Sequence, residues 1–563
     1  MSRLRSHPAR WWAVSAAIAL AITAVAWRTG EWWQITDPSL KINLWTARAV
    51  LLVTLTLGLR GVIAVLPRMT PLRWTLAGFW LLYAALAIVL AWPGTLMSDS
   101  IQEFTISRGL VITTWFGWIY GLAHLALLDL IPRMWFLLVV QVLGSAAVFA
   151  YAGDVIYRRG RGARWPLVLT TLLLAGAAPV IATTILISRD APFGVLHLLL
   201  ALLIVDAVAV RKRATPLIVL AVAVLAGVLS VLRGDGVLLL WTPLLLLALR
   251  PSRQAALRGG LVTVALIVAI RVVLPTPLKL DDDPFRYSLT LRLPAIAAIL
   301  ADANDTADRR DDLPASDRKN FEGSVNRPFW SKTPEADLEA LAGVIDLRRV
   351  EGLQSPFEIP AFWFGAYRLD ATPAQIARFQ QTADRLIRDN LPVVLASKVE
   401  TFSASSGLMN HGFTGIPFER GANPFGGIAP AQRDHLAASA PWPSGTNWLA
   451  RQLGRSATYQ GLRPAGSALW WNLVPALVLL LAVLIIRRRW WPEALLAGVI
   501  LARVPLVFVA APAAQFKYYY SVYLGGIVAL GLMLAAFATW RADRRAQPAP
   551  VSAPELSADT SPA

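Results

Sequence analysis

Four short runs of this sequence carry the side chains with chemistry to offer. The first is Trp92-Pro93-Gly94-Thr95-Leu96-Met97-Ser98-Asp99-Ser100-Ile101-Gln102-Glu103, which follows an apolar block directly. An acid at such an edge is a candidate general base. The spacing equally suits the start of a short helix, with Asp99 as N-cap and Gln102 at its third position. The second run, Ser188-Arg189-Asp190-Ala191-Pro192-Phe193, turns between two apolar blocks with almost no loop. Its Arg–Asp pair either satisfies itself, holds a phosphate or orients a nucleophile. In the third, Arg233-Gly234-Asp235-Gly236, the glycines suit a tight turn with positive φ. The fourth, Phe516-Lys517-Tyr518-Tyr519-Tyr520, opens the last apolar block. Its tyrosines suit an interfacial aromatic belt, and Lys517 suits a phosphate as a point charge.

These runs need scaffolding, and the rest of the chain supplies it. The 563 residues are 56% hydrophobic, with a mean hydropathy of +0.53. The apolar residues fall in continuous blocks of about 17–23, the length that crosses a bilayer as a helix. Such blocks lie near 11–27, 44–66, 74–92, 134–155, 165–186, 192–210, 214–232, 236–250, 259–275, 468–486, 491–511 and 518–540. The expected fold is therefore an all-α polytopic membrane protein with about twelve transmembrane helices. The absence of cysteine excludes disulfides and thiolate metal sites.

Charge placement sets the orientation. The net charge of +18 is not a nucleic-acid signature, because the basic runs sit at the ends of apolar blocks. They are Arg158, Arg159, Arg161 and Arg164; Arg211, Lys212 and Arg213; Arg487, Arg488 and Arg489; and Arg541, Arg544 and Arg545. With the N-terminus (Arg3, Arg5, Arg10) in the cytoplasm, all fall inside, as the positive-inside rule requires. The stretch 111–130, with Trp115, His124 and Asp129, would break this count as a span and is read as an interfacial or re-entrant helix on the outer face. Ala24-Val25-Ala26 mimics a signal-cleavage site, but the apolar run before it is longer than a signal core, so the first block is read as retained.

The domain boundaries follow. Residues 1–73 hold two transmembrane helices, and 74–275 form a transmembrane core with an outer loop at 93–133. Residues 276–466, charged but near neutral, form an extracytoplasmic domain of mixed, mainly helical character, inserted before the last three helices in 467–540. Within it 373–403 has helical spacing, with Ile376, Phe379, Ala383, Leu386 and Ile387 on one face. Its Phe362-Trp363-Phe364 cluster needs burial, and 413–445 is loop-like. Residues 541–563 form a cytoplasmic tail, Pro/Ala/Ser-rich and disordered after 546. The sequence shows no internal repeat and no broken span of the kind transporters use.

On this topology all four runs lie on the outer side. Acids that take a proton, beside cations that meet a leaving phosphate, suit group transfer from a phosphate ester held in lipid. The order of the runs resembles the GT-C superfamily of integral-membrane glycosyltransferases, and more closely an uncharacterised bacterial multi-pass branch of it. The resemblance rests on Pro93, Gly94, Asp99, Ser100 and Gln102; on Arg189, Asp190 and Phe193; on Arg233, Asp235 and Gly236; and on Lys517, Tyr518 and Tyr519. Leu386-Ile387-Arg388-Asp389-Asn390-Leu391-Pro392, continuing to Lys398, resembles the branch's outer-face helix. The chain departs from the branch at Thr114-Trp115-Phe116-Gly117, where a His-Pro pair is common.

The resemblance implies a polyprenyl-phosphate sugar donor, a glycan, lipid or protein acceptor, and a bacterial inner-membrane location with both termini cytoplasmic. It implies catalytic roles for Asp99 and Asp190, with Asp99 the base. Arg189, Arg233, Asp235, Lys517, Tyr518 and Tyr519 would bind the donor, and Ser100, Gln102 and Glu103 are further candidates. Some members use a divalent metal, Mg or Mn. The competing readings are a transporter or flippase of lipid-linked saccharides, a polysaccharide polymerase or ligase, and an inactive scaffold.

Overall fold

A computed structural model describes residues 8–26, 33–212, 215–247, 253–281, 289, 292–300, 335–347, 368, 370–408, 416–417, 448–449, 452–453, 470–486, 490–511 and 514–546. The described chain is mostly helical, with four two-residue strands. Among the described residues seven helices are long and apolar enough to cross a membrane: Pro38–Val65, Pro71–Ala91, Met134–Arg159, Asp190–Val210, Gln254–Val273, Trp491–Ala510 and Phe516–Arg545. Shorter apolar helices cover Trp11–Ala24, Trp118–Leu130, Pro216–Leu232, Gly234–Leu247 and Val474–Ile485.

Helix starts follow local sequence. Thr70 and Thr215 each cap a helix with the side-chain oxygen, and each is followed by proline at the first helical position, where a missing N–H costs nothing. One apolar block departs from the sequence reading. Arg164–Gly176 and Ala178–Ile185 meet at a 56° bend, the geometry of a broken span or a re-entrant loop. Pro179 lies at the start of the second half and has no N–H to continue the first. Gln141 holds that half by donating to the carbonyls of Thr184 (2.7 Å) and Leu186 (2.8 Å).

The two ends of the bundle carry different charges. Helix Asp190–Val210 has 21 residues and spans about 30 Å. At its far end Asp206 pairs with Arg158 and Arg211 and accepts from the Tyr151 hydroxyl. Nearby, Arg73 and Arg158 share Asp154, and Arg159 pairs with buried Glu493. Arg73, Arg158 and Arg159 at that end are thus tied to acids on neighbouring helices. Asp190, at the other end, belongs to the candidate site.

Helix Trp118–Leu130 has 13 residues, short for a crossing, and most of them are buried against protein. Asp129 pairs with Arg48 (2.8 Å) and accepts from the Trp33 indole (3.3 Å). The segment before it is fastened by Asn43, which donates to Leu110 and Lys279 carbonyls (2.9 Å each) and accepts from the Lys279 N–H (2.8 Å). That clasp supports the parallel pairing of β2 (Ile112–Thr113) with β3 (Leu280–Asp281).

A second hydrophobic core, separate from that of the bundle, gathers Leu289, Leu293, Ile296, Leu341, Ile345, Phe379, Ala383 and Leu386. The stretch 373–403 forms two helices, Pro373–Asp389 and Leu391–Ser405. Thr372 and Gln375 cap the first reciprocally, and Pro392 opens the second. Lys398 anchors the second helix by donating to the Ala511 carbonyl (3.0 Å), and burial lowers its pKa to about 8. The Phe362-Trp363-Phe364 cluster, most of 413–445 and the tail after 546 lie outside the described residues.

Candidate functional site

Five chain segments meet where Asp190 begins its helix. The first is the loop carrying Asp99. Thr95 pairs with Ile185–Ile187 through its carbonyl, which accepts from the Ile187 N–H (3.0 Å), and its hydroxyl, which donates to the Ile185 carbonyl (3.3 Å). On its other side β1 (Thr95–Leu96) pairs antiparallel with β4 (Ile416–Pro417). Gly94 takes φ +113° to make this turn. The helix Ser98–Arg108 then starts one residue before Asp99, so Asp99 is not its N-cap. Ser100 takes the local role, accepting from the Met97 N–H (3.3 Å) and donating to the Ile187 carbonyl.

Asp99 is left facing the site. Its Oδ2 lies 3.4 Å from the Lys517 amine and its side chain keeps 34% exposure. Lys517, almost fully buried, also reaches Asp190 Oδ2 at 3.2 Å and Met97 Sδ at 3.1 Å. Asp190 is buried in the first turn of its helix, where the backbone dipole favours a carboxylate. Its other oxygen accepts from Arg233. Arg233 in turn donates through Nε to Asp235 (2.9 Å). The far oxygen of Asp235 accepts from Arg503 Nε at 2.7 Å.

Aromatic rings line this chain of charges. Phe193 has Arg503 over its face at 4.4 Å and Arg233 at 5.7 Å. Tyr518 lies under Arg233 (5.1 Å) and Lys517 (5.5 Å), an arrangement that favours cations. Tyr519 is buried against Phe402 of the Leu391–Ser405 helix. Its hydroxyl has no hydrogen-bond partner among the described residues.

Other sequence candidates lie apart. Arg189 does not pair with Asp190; it donates to the Trp115 carbonyl and stacks on Phe116 at 5.7 Å. Gln102 is half-buried. Glu103, one helical turn beyond Asp99, is fully buried and neither carboxyl oxygen has a hydrogen bond among the described residues. Burial raises its pKa to about 8; the Asp99 charge adds to the rise and Arg189 opposes it. The glycines of the Arg233 turn do not use positive φ. Gly236 is required by space, since a Cβ there would lie 2.0 Å from the Leu229 carbonyl oxygen.

Arg503 is the residue the sequence reading missed. It sits in the middle of the apolar stretch Trp491–Ala510, ten residues from Glu493 near its start, and a buried arginine within such a stretch is itself a functional signal. Among the described residues no three His, Asp or Glu side chains gather as a ready metal-binding group. Asp99, Asp190 and Asp235 each face a cation instead. No family model, curated protein sequence or solved structure matches the chain.

Proposed function

We propose that this chain is a GT-C-type membrane glycosyltransferase that moves a sugar from a polyprenyl-phosphate donor to a hydroxyl acceptor on the extracytoplasmic face of a bacterial inner membrane. The observation that carries the reading is Lys517, a buried amine between a half-exposed acid, Asp99, and a buried one, Asp190. Asp99 meets Lys517 through Oδ2 and keeps 34% of its side-chain surface exposed. In the reaction Asp99 takes the hydroxyl proton as the acceptor oxygen bonds to the anomeric carbon. The anomeric C–O bond to phosphate breaks, and the electron pair leaves with the lipid phosphate. Lys517 and Arg233 meet the charge that develops there, the role fixed cations serve best in a site shielded from water.

Twelve crossings fit this reading. They comprise the seven long helices, the bent pair, and the short apolar helices other than Trp118–Leu130. The paired basic clusters at the far end of Asp190–Val210 favour the cytoplasm for that end. The second core around Phe379 supports a folded extracytoplasmic domain within 276–466. Residues 391–405 would roof the site through Phe402 and Tyr519, limiting water around a reactive sugar phosphate.

The bent span favours a second reading, a transporter of lipid-linked saccharides. Transfer of radiolabelled sugar from a polyprenyl-phosphate donor in membranes separates the two. Label in a covalent acceptor product, lost with Asp99→Asn, supports the transferase. Movement of the intact donor across vesicles with no new glycosidic product would remove it.

A further inference from the structure

Arg503, Asp235, Arg233, Asp190, Lys517 and Asp99 alternate in sign along one chain of contacts. Three cations face three carboxylates, so the chain is neutral as it stands. A site built to receive a phosphate would be expected to offer a spare cation, and along this chain every cation already holds an acid. An anion that binds these three cations must compete with a carboxylate, and the geometry says which one yields.

Asp235 is held between two guanidiniums, and Asp190 between Arg233 and Lys517; their side chains are only 8% and 2% exposed. Removing either would strand two cations in a poorly solvated place, which is costly. Asp99 differs on each count. It has one charged partner, at 3.4 Å, and keeps 34% of its side-chain surface exposed. It stands in the first turn of a short helix, and water can solvate it once it is released. Lys517 would lose nothing in the exchange, because Asp190 remains at 3.2 Å and Tyr518 stays beneath it.

We propose that Asp99 occupies the phosphate site of Lys517 in the unliganded protein, and that an incoming lipid phosphate takes over Lys517 and releases the Asp99 carboxylate. The inference rests on the transferase reading for its biological meaning and on the ion chain for its physics. It orders the reaction: the base is tied down until the donor is seated, so an acceptor arriving first meets an Asp99 still engaged by Lys517. The exchange needs no large movement, because only the outermost contact of the chain is broken.

The test is equilibrium binding to the full-length protein in nanodiscs, with farnesyl phosphate as lipid-phosphate probe and inorganic phosphate as a second arm. Wild type, Asp99→Asn, Asp99→Ala, Lys517→Ala and the Asp99→Asn/Lys517→Ala double variant are compared. Loss of a competing, partly exposed charge should tighten farnesyl phosphate about threefold to tenfold in both Asp99 variants. The gain should shrink as salt rises. Lys517→Ala should bind more weakly than wild type, and adding Asp99→Asn to it should give no gain, the non-additivity expected of one shared contact. Unchanged or weaker binding in both Asp99 variants overturns the proposal, as does an equal gain in the absence of Lys517. Equal affinity for inorganic phosphate overturns the lipid part of it. If binding behaves as expected while wild type transfers no sugar, the ion exchange stands and the transferase reading falls; the reverse pattern separates them the other way.

Discussion

Asp99 and Lys517 are 418 positions apart in the chain and 3.4 Å apart in space. The contact joins the segment after helix Pro71–Ala91 to the opening of the last long helix. Asp190, also within reach of Lys517, brings in a third element. No short motif defines this site; it exists only when the bundle has closed.

Asp99→Asn keeps the shape of the side chain but cannot accept a proton. Sugar transfer should fall by about 10²–10⁴-fold, with protein level and detergent elution profile unchanged. Near-wild-type turnover would move the base to another residue.

Asp190→Asn should be the more damaging change to the fold. Asp190 stands next to Arg189 in the sequence, but the structure pairs it with Arg233 and Lys517. Removing one partner of a buried ion pair costs about 3–5 kcal/mol. A lower midpoint of thermal unfolding than in Asp99→Asn is the expected result, read on purified protein in one detergent.

Glu103 gives stability a pH dependence. The fold keeps its proton up to about pH 8, whereas the unfolded chain ionises near 4.5. Between those values the native state binds more protons, so this group's contribution to stability falls as pH rises and is lost above about 8. Glu103→Gln removes that slope. Melting curves from pH 5 to 9 should be flatter for the variant, which should also be the more stable protein at pH 8.

Gly194 faces Tyr520 so closely that a Cβ would lie 2.5 Å from a ring carbon. The tyrosine is fixed there by Thr184 (3.1 Å), so Gly194→Ala should cost about 1–3 kcal/mol by overpacking. Gly144 has open space at the same position, and Gly144→Ala should leave the melting temperature unchanged.

Topology can be read directly with fusions. Cytoplasmic reporters should be active after Arg161, Arg213, Arg253 or Arg488, and periplasmic reporters near positions 310 and 440. Activity of a cytoplasmic reporter at 310 would invert the site's sidedness and with it the proposed donor.

The charged residues that gather here were conspicuous in the sequence because charge beside apolar blocks is expensive. Asp99, Asp190, Arg233 and Lys517 stood out against apolar surroundings, and each lies at the boundary of an apolar block. Their partners were not readable. Pairing depends on how helices distant in sequence pack, so Arg189 looked like the partner of Asp190 until packing sent it to Trp115. Arg503 lies in the middle of its apolar stretch rather than at an end, so the end-of-block signal that marks the other cations does not mark it. The bend at Ala177 was signalled by Pro179, yet a proline near a helix start and one that breaks a span look alike until the neighbouring turns are known.

Helix Asp190–Val210 is clamped by ions at both ends, by Lys517 and Arg233 at one and by Arg158 at the other. It therefore has a fixed angular phase as well as a fixed height. Each residue of a helix turns the chain by about 100°, so one residue inserted or deleted between the clamps would leave one end facing the wrong neighbours. Substitutions at its partly exposed positions, such as Leu196, Leu199 and Leu203, leave that phase intact, while a change of length by even one residue does not. The helix acts as a gauge whose length and twist must both be kept for the two ends of the bundle to stay in register.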